Sequence, residues 1–206
     1  MDRFTRKELK HAPAPRPDGS PLAETPWRRD ERRERFANPF FRIYEDQAWN
    51  GRAGRNFDYG IISFRNRAVG ILPLEQDGRV WLVGQHRYAV DEFTWELPMG
   101  GVPLEANLLE GAQRELREET GLTAAHWELL LPEVHLSNSV TDEVGTVLLA
   151  RELAPGAMAP EASEELWVIT VPWREAVHAA LDGRITDSLT VAGLLALAAR
   201  AEDFGL

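Results

Sequence analysis

The 206-residue chain reads as an α+β protein in which helix, sheet and helix stack as layers. Three observations carry that reading. Short segments rich in β-branched and aromatic residues recur from Phe40 to Val171. A single capped, glycine-stopped helix interrupts them after Pro98, and two apolar helical segments follow the last strand. Strand texture of period 2 interleaved with a few helices of period 3.6 implies a sheet covered by helices.

The strands are expected at Phe40 to Tyr44, Phe57 to Phe64, Val69 to Leu74, Val80 to Gln85 and Phe93 to Leu97, then near Trp127 to His135, Val144 to Arg151 and Leu166 to Val171. Gln76-Asp77-Gly78-Arg79 has the Asp-Gly pair of a tight hairpin turn and is expected to join the third and fourth as a hairpin. After Pro98, Asn107 with Glu110 three residues on resembles an N-terminal capping pair. Leu109, Ala112 and Leu116 recur at helical spacing, and Gly121 stands where a helix-ending glycine belongs. Trp173 to Leu181 reads as a helix. The last helix starts from Thr186 or Asp187 as its cap and runs through Leu189 to Ala199.

A hydrophobic content of 44% suffices for a substantial core, and the length suits one domain with an appendage. No cysteine is present, so disulfides and thiolate metal sites are excluded. No apolar run approaches a membrane span and the N-terminus lacks a signal-peptide core, so a cytoplasmic location without a membrane partner is expected. A formal charge of −10 argues against nucleic acid as a partner. The charge is uneven: residues 1 to 36 hold ten Lys or Arg against seven Asp or Glu, the remainder 13 against 26. With five prolines between Pro13 and Pro26 and little periodicity, residues 1–35 read as an extended or partly disordered arm, and the domain proper as 36–206. Arg28, Arg29, Arg32, Arg33 and Arg35 alternate with Asp30, Glu31 and Glu34, which suggests a solvated turn of helix rather than a nucleic-acid tail.

The chemistry concentrates in Arg114-Glu115-Leu116-Arg117-Glu118-Glu119-Thr120-Gly121-Leu122. Spacings of three and four put Glu115, Glu118 and Glu119 on one helix face. Like charges so placed repel by a few tenths of a kcal/mol per pair in an isolated helix. A solvated acidic face is the plain alternative, but clustered carboxylate oxygens are what Mg²⁺ or Mn²⁺ prefers. Counted from Gly100, the spacing to Arg114, Glu115, Leu116, Glu118, Glu119, Gly121 and Leu122 resembles the Nudix box at every specified position but one. The exception is the first glutamate of that pattern, here Ala106, with Glu105 one residue out of register.

The resemblance implies the Nudix fold, an α/β/α sandwich with a central mixed sheet, here with an N-terminal β appendage at about residues 36–66. It covers roughly residues 38 to 200 and is greatest to the branch that cleaves ADP-ribose and nucleotide sugars. The residues that carry it are Asn38-Pro39-Phe40-Phe41-Arg42, Phe57-Asp58-Tyr59, Gln85-His86-Arg87-Tyr88, Thr94-Trp95-Glu96-Leu97-Pro98, Thr141-Asp142-Glu143 and Asp187-Ser188-Leu189-Thr190. The usual Ser-Pro-Gly after the box is replaced by Ser137-Asn138-Ser139. The same resemblance implies a metal-dependent hydrolase of a small nucleoside-diphosphate substrate, giving a nucleoside monophosphate and a sugar phosphate, and a homodimer formed with the help of the N-terminal strands. The implied ligands of Mg²⁺ or Mn²⁺ are Glu115, Glu118 and Glu119 with the Met99 carbonyl, and Glu118 and Glu119 also have catalytic roles. Glu164, with Glu161 as the alternative, is the acid implied to orient or deprotonate water from the loop 154–165.

Arg87 is the cation expected to hold phosphate, since a guanidinium grips two oxygens at once; pairing with a surface acid is its other reading. Glu96 is expected either to contact substrate or to form a structural ion pair. Arg114 should order the acidic helix, with Glu105 replacing the partner lost at Ala106. Six of the tryptophans are expected in the core, and the sequence does not single out one that stacks on a base. Two other functions stay open: hydrolysis of a nucleoside triphosphate or another diphosphate compound, and nucleotide binding by a catalytically weak regulator.

Overall fold

A computed structural model of the chain describes residues 26–157 and 165–206. It divides into two compact units, residues 26–65 with 137–142, and residues 66–136 with 143–206.

The first unit is an antiparallel sheet of β1 (Trp27–Ala37), β2 (Phe41–Asn50) and β3 (Arg55–Phe64), in that order. The solvated helical turn expected around Arg28 to Arg35 is a strand instead. Its physical reason is cross-strand charge pairing, which depends on a neighbour rather than on local propensity. Arg32 donates to both oxygens of Asp46 on β2 at 2.7 Å, and Arg35 pairs with Glu45 at 2.7 Å. The Arg32 guanidinium also lies 4.5 Å from the Tyr44 ring centroid. Residues 137–142 close against β3: Ile62 N donates to Val140 O at 2.8 Å, Ser63 Oγ to Asp142 Oδ2 at 2.6 Å and Tyr59 OH to Ser139 O at 2.8 Å.

Asp46 is buried, and the hydrogen bonds from Arg32 hold its carboxyl below the ordinary value of 3.8. A depressed folded value means that the unfolded chain takes up the proton first. The pair therefore stabilises the sheet above roughly pH 4 and loses that contribution as pH falls through the lower folded value. Asp46→Asn is expected to flatten this acid-side loss, followed through the NMR signals of the β2 amides. An acid limb identical to that of the parent would show that the pair contributes nothing.

The second unit holds two sheets. One runs β7-β4-β9-β8, with β4 (Asn66–Pro73) parallel to β9 (Val144–Pro155) and antiparallel to β7 (Met99–Pro103), and with β8 (Leu122–His135) antiparallel to β9. The other is antiparallel, with β5 (Arg79–Arg87) between β6 (Glu92–Glu96) and β10 (Trp167–Pro172). β4 is apolar on both faces because both are covered. Leu72, Val147 and Leu149 share a core with Leu189, Leu194 and Leu197 of α3 (Ser188–Ala199), and the alternate residues Val69, Ile71 and Leu148 are equally buried on the opposite face, the side of α1 (Leu108–Thr120). Helix, mixed sheet and helix therefore stack as the composition of segments predicts. α2 (Trp173–Leu181) lies where expected, and Asp187 caps α3 by accepting from Thr190 N at 2.8 Å.

The turn at Gln76–Arg79 forms, with Gly78 at φ 82°, but the flanking strands are not a hairpin. They share only the Leu74–Val80 bridge before β4 and β5 diverge into different sheets. β4 is instead held by β7 and β9, strands that come from far along the chain. Among the described residues no helix is long and apolar enough to cross a membrane.

Candidate active site

The acidic helix is fixed at both ends by its own sequence. Asn107 Oδ1 accepts from Leu109 N at 2.9 Å, and Gly121 takes the left-handed conformation at φ 70° with its N–H on Arg117 O. Between these ends Leu108, Ala112 and Leu116 are buried. Gly111 lets α1 sit close over β7, since a methyl group there would overlap the Val102 side chain. A helix glycine costs about 1 kcal/mol against alanine, so the close approach is what justifies it.

That placement brings Glu115, Glu118 and Glu119 to the segment leading out of β6. Glu119 is 3% exposed, and its Oε2 accepts from Met99 N at 2.9 Å. Glu115 lies against Gly100, where a methyl group would overlap its carboxylate. Glu118 is the most exposed of the three, and Arg114 pairs with both Glu115 and Glu118, the latter at 3.4 Å. The Glu115 carboxylate, before any other cause, raises the already high pKa of Arg114. Glu105 is exposed and is not the partner expected for Arg114, because two carboxylates of the same helix lie nearer. The loop at Ala106 is braced from another side: Arg67 Nη2 donates to Ala106 O at 2.6 Å. Sequence reasoning missed Arg67, although an arginine directly before the apolar run Ala68–Leu72 was a usable signal.

The segment 96–100 is held from two helices. Leu97 N donates to Thr190 Oγ1 of α3 at 2.9 Å, Thr190 Oγ1 in turn donates to Asp187, and Met99 N is taken by Glu119 of α1. Glu96 is 3% exposed and accepts from Arg87 Nε at 2.8 Å, from Arg87 Nη2 and from Thr94 Oγ1. Both readings of Arg87 thus meet in one side chain. It is ion-paired, yet 40% exposed, with Nη1 left without a partner among the described residues. The hydrogen bonds it donates to Glu96 raise its pKa most, and the charges of Glu96, Asp187 and Glu119 add to that. Removing one partner of a buried ion pair costs about 3–5 kcal/mol, and less here because Arg87 is partly solvated. Arg87→Ala is expected to lower stability by roughly 2 kcal/mol, measured by urea denaturation, with Glu96→Gln/Arg87→Ala recovering part of the loss. No loss in the single variant would make the pair a surface contact.

His86 is exposed and pairs with Asp91 at 3.3 Å. Glu161 and Glu164 lie outside the described residues. Among the described residues no three His, Asp or Glu side chains already converge as a metal cage. The donor set nevertheless fits a hard divalent cation in kind: three carboxylates on one face, a backbone strand end beside them, and a glycine whose missing side chain makes room for Glu115.

The capped acidic helix packs on a mixed sheet, with its carboxylates at a strand end and the Arg87–Glu96 pair on the neighbouring strands. The chain belongs to the NUDIX domain family, whose model matches residues 64–189, and so to a family of pyrophosphatases. An ADP-ribose pyrophosphatase of Mycobacterium tuberculosis is 36% identical over 142 residues, which span 66% of this chain and 67% of that one. An RNA pyrophosphohydrolase of Caulobacter vibrioides is 46% identical, but over only 56 residues, 27% of this chain and 32% of that one. The fold is similar to a crystal structure of an ADP compounds hydrolase, with a TM-score of 0.79 at 17% identity over 89% of this chain and 98% of that one.

Proposed function

We propose that this protein hydrolyses the diphosphate bond of ADP-ribose or a closely related nucleoside-diphosphate sugar, giving a nucleoside monophosphate and a sugar phosphate, in a reaction that depends on Mg²⁺ or Mn²⁺. The observation that carries the proposal is the set of three carboxylates, Glu115, Glu118 and Glu119, gathered on α1 against Met99 and Gly100 with Arg87 nearby. Its substrate class is supported by the relative from M. tuberculosis, whose similarity extends over 142 residues and well beyond the box.

Glu115, Glu118, Glu119 and the Met99 carbonyl are the proposed metal ligands. A divalent cation held there supplies charge to offset the phosphate oxygens and lowers the pKa of a bound water. The chain's own part is binding and order. Glu119 fixes the helix to Met99 N, so the carboxylates and the strand end move as one body. Arg114 holds Glu115 and Glu118 against their mutual repulsion. Glu96 and Thr94 aim the Arg87 guanidinium, whose Nη1 is the proposed donor to a diphosphate oxygen. Glu164, with Glu161 as the alternative, is the proposed proton acceptor.

The proposal extends to a cytoplasmic homodimer built on the N-terminal sheet. The support is an edge strand, β1, that is exposed along its whole length, with Trp27, Phe36 and Phe40 open to solvent. Chromatography of the metal-dependent reaction mixtures tests the substrate. Release of AMP from ADP-ribose at least about tenfold faster than cleavage of nucleoside triphosphates, a difference near 1.4 kcal/mol, supports the proposal. A preference for triphosphates sinks it in favour of the alternative substrate class.

A further inference from the structure

We infer that the open cavity between α1 and the first half of β8 binds a nucleoside monophosphate, at a place separate from the acidic face and independent of the proposed hydrolysis. The cavity measures about 350 Å³ and is lined by Glu110, Gln113, Arg114, Arg117, Thr123 and Trp127. Residues 110, 114 and 117 are spaced four and three apart, so they form one stripe along the helix, next to the stripe that carries Glu115 and Glu119. On α1 this is the side where positive charge outnumbers negative.

Arg117 is the anchor. It is exposed and has no ion-pair partner among the described residues, whereas Arg114 divides its charge between Glu115 and Glu118. A guanidinium with its donors open to a cavity grips a phosphate monoester by two oxygens. Trp127 is the second element. Its indole N–H donates to Ala124 O at 3.0 Å, so the ring is already fixed by its polar edge and half-buried. A pre-ordered aromatic ring gives a nucleobase a stacking partner at little entropic cost. Arg117 and Glu110 lie seven residues apart, about 10 Å along the helix axis. Glu110, at the far end of the same stripe, is an acceptor available to a ligand hydroxyl. Gln113 and Thr123 supply donors and acceptors for the base edge.

Small-molecule sites run from about 300 to 1,000 Å³, and this open cavity lies at the lower end, a volume that accommodates a single nucleotide. Arg117, the cation of this lining whose charge no ion pair takes up among the described residues, favours a phosphate over an uncharged nucleoside.

The test uses the full chain in chelator, with AMP as the probe and the indole N–H signal of Trp127 in NMR, assigned by its loss in Trp127→Phe, as the readout. AMP is expected to shift that signal saturably. Arg117→Gln and Trp127→Leu should each weaken AMP binding about tenfold or more, while Glu119→Gln binds AMP as the parent does. Inorganic phosphate and adenosine, each carrying half of the recognised chemistry, should bind at least about tenfold more weakly than AMP. Arg117 is on the surface, so its variant carries the test if Trp127→Leu fails to fold. The inference is overturned by a Trp127 signal indifferent to AMP, or by an Arg117→Gln variant that binds like the parent. Inorganic phosphate binding as tightly as AMP would reduce the cavity to a simple anion site and overturn it too. Loss of AMP binding in Glu119→Gln would move the ligand to the acidic face.

Discussion

Glu119→Gln is expected to lower metal-dependent hydrolysis by about two to three orders of magnitude while leaving the fold intact. A bound metal ion contributes several kcal/mol of charge stabilisation, and each 1.36 kcal/mol is a factor of about ten. The amide keeps the acceptor oxygen that Met99 N requires, so the link between α1 and the strand end survives. Removing one charge from the crowded face also relieves repulsion worth a few tenths of a kcal/mol. The thermal midpoint without metal should therefore stay level or rise slightly. Collapse of the fold would make Glu119 a structural residue, and full activity would remove it from the site.

Gly100→Ala is the second large effect. The added methyl overlaps the Glu115 carboxylate, and α1 cannot retreat as a unit because Asn107, Gly121 and the Gly111–Val102 contact fix it. Either Glu115 turns out of the site or β7 shifts. The carboxylate is the far end of a flexible side chain and can swing aside at little cost in stability, but hydrolysis should fall by about tenfold or more, since a 1 Å misplacement can cost about 100-fold. Gly101→Ala is the control: its methyl meets the amide end of Asn66, a side-chain group that can move aside, and a much smaller loss is expected. Equal losses at the two glycines would mean that strand geometry matters and that room for Glu115 does not.

The legible part of the sequence was local. Asn107, the apolar stripe and Gly121 specify α1 without help from elsewhere, and Asp187 does the same for α3. The carboxylates follow from helical spacing alone. β1 was not legible, because its arginines become strand residues only through Asp46 and Glu45 on the next strand. β7 is five residues with two glycines and a proline, and backbone pairing to β4 makes it a strand. The hairpin reading of Gln76–Arg79 failed because β4 finds its partners in β7 and β9, far along the chain. The Arg87–Glu96 pair needed the register of β5 on β6, which puts both side chains on one face of that sheet. Arg114 went to its own helix rather than to Glu105 for a similar reason: proximity in space outweighed a family pattern with one member missing.

The central claim is that the carboxylates of α1 serve diphosphate hydrolysis through a divalent cation. Its most direct test is ³¹P NMR of the full chain with ADP-ribose, in Mg²⁺ and in chelator. Appearance of AMP and ribose 5-phosphate in Mg²⁺, with none in chelator, is the expected result. Cleavage at an equal rate in chelator, or an intact diphosphate in both, would contradict the claim.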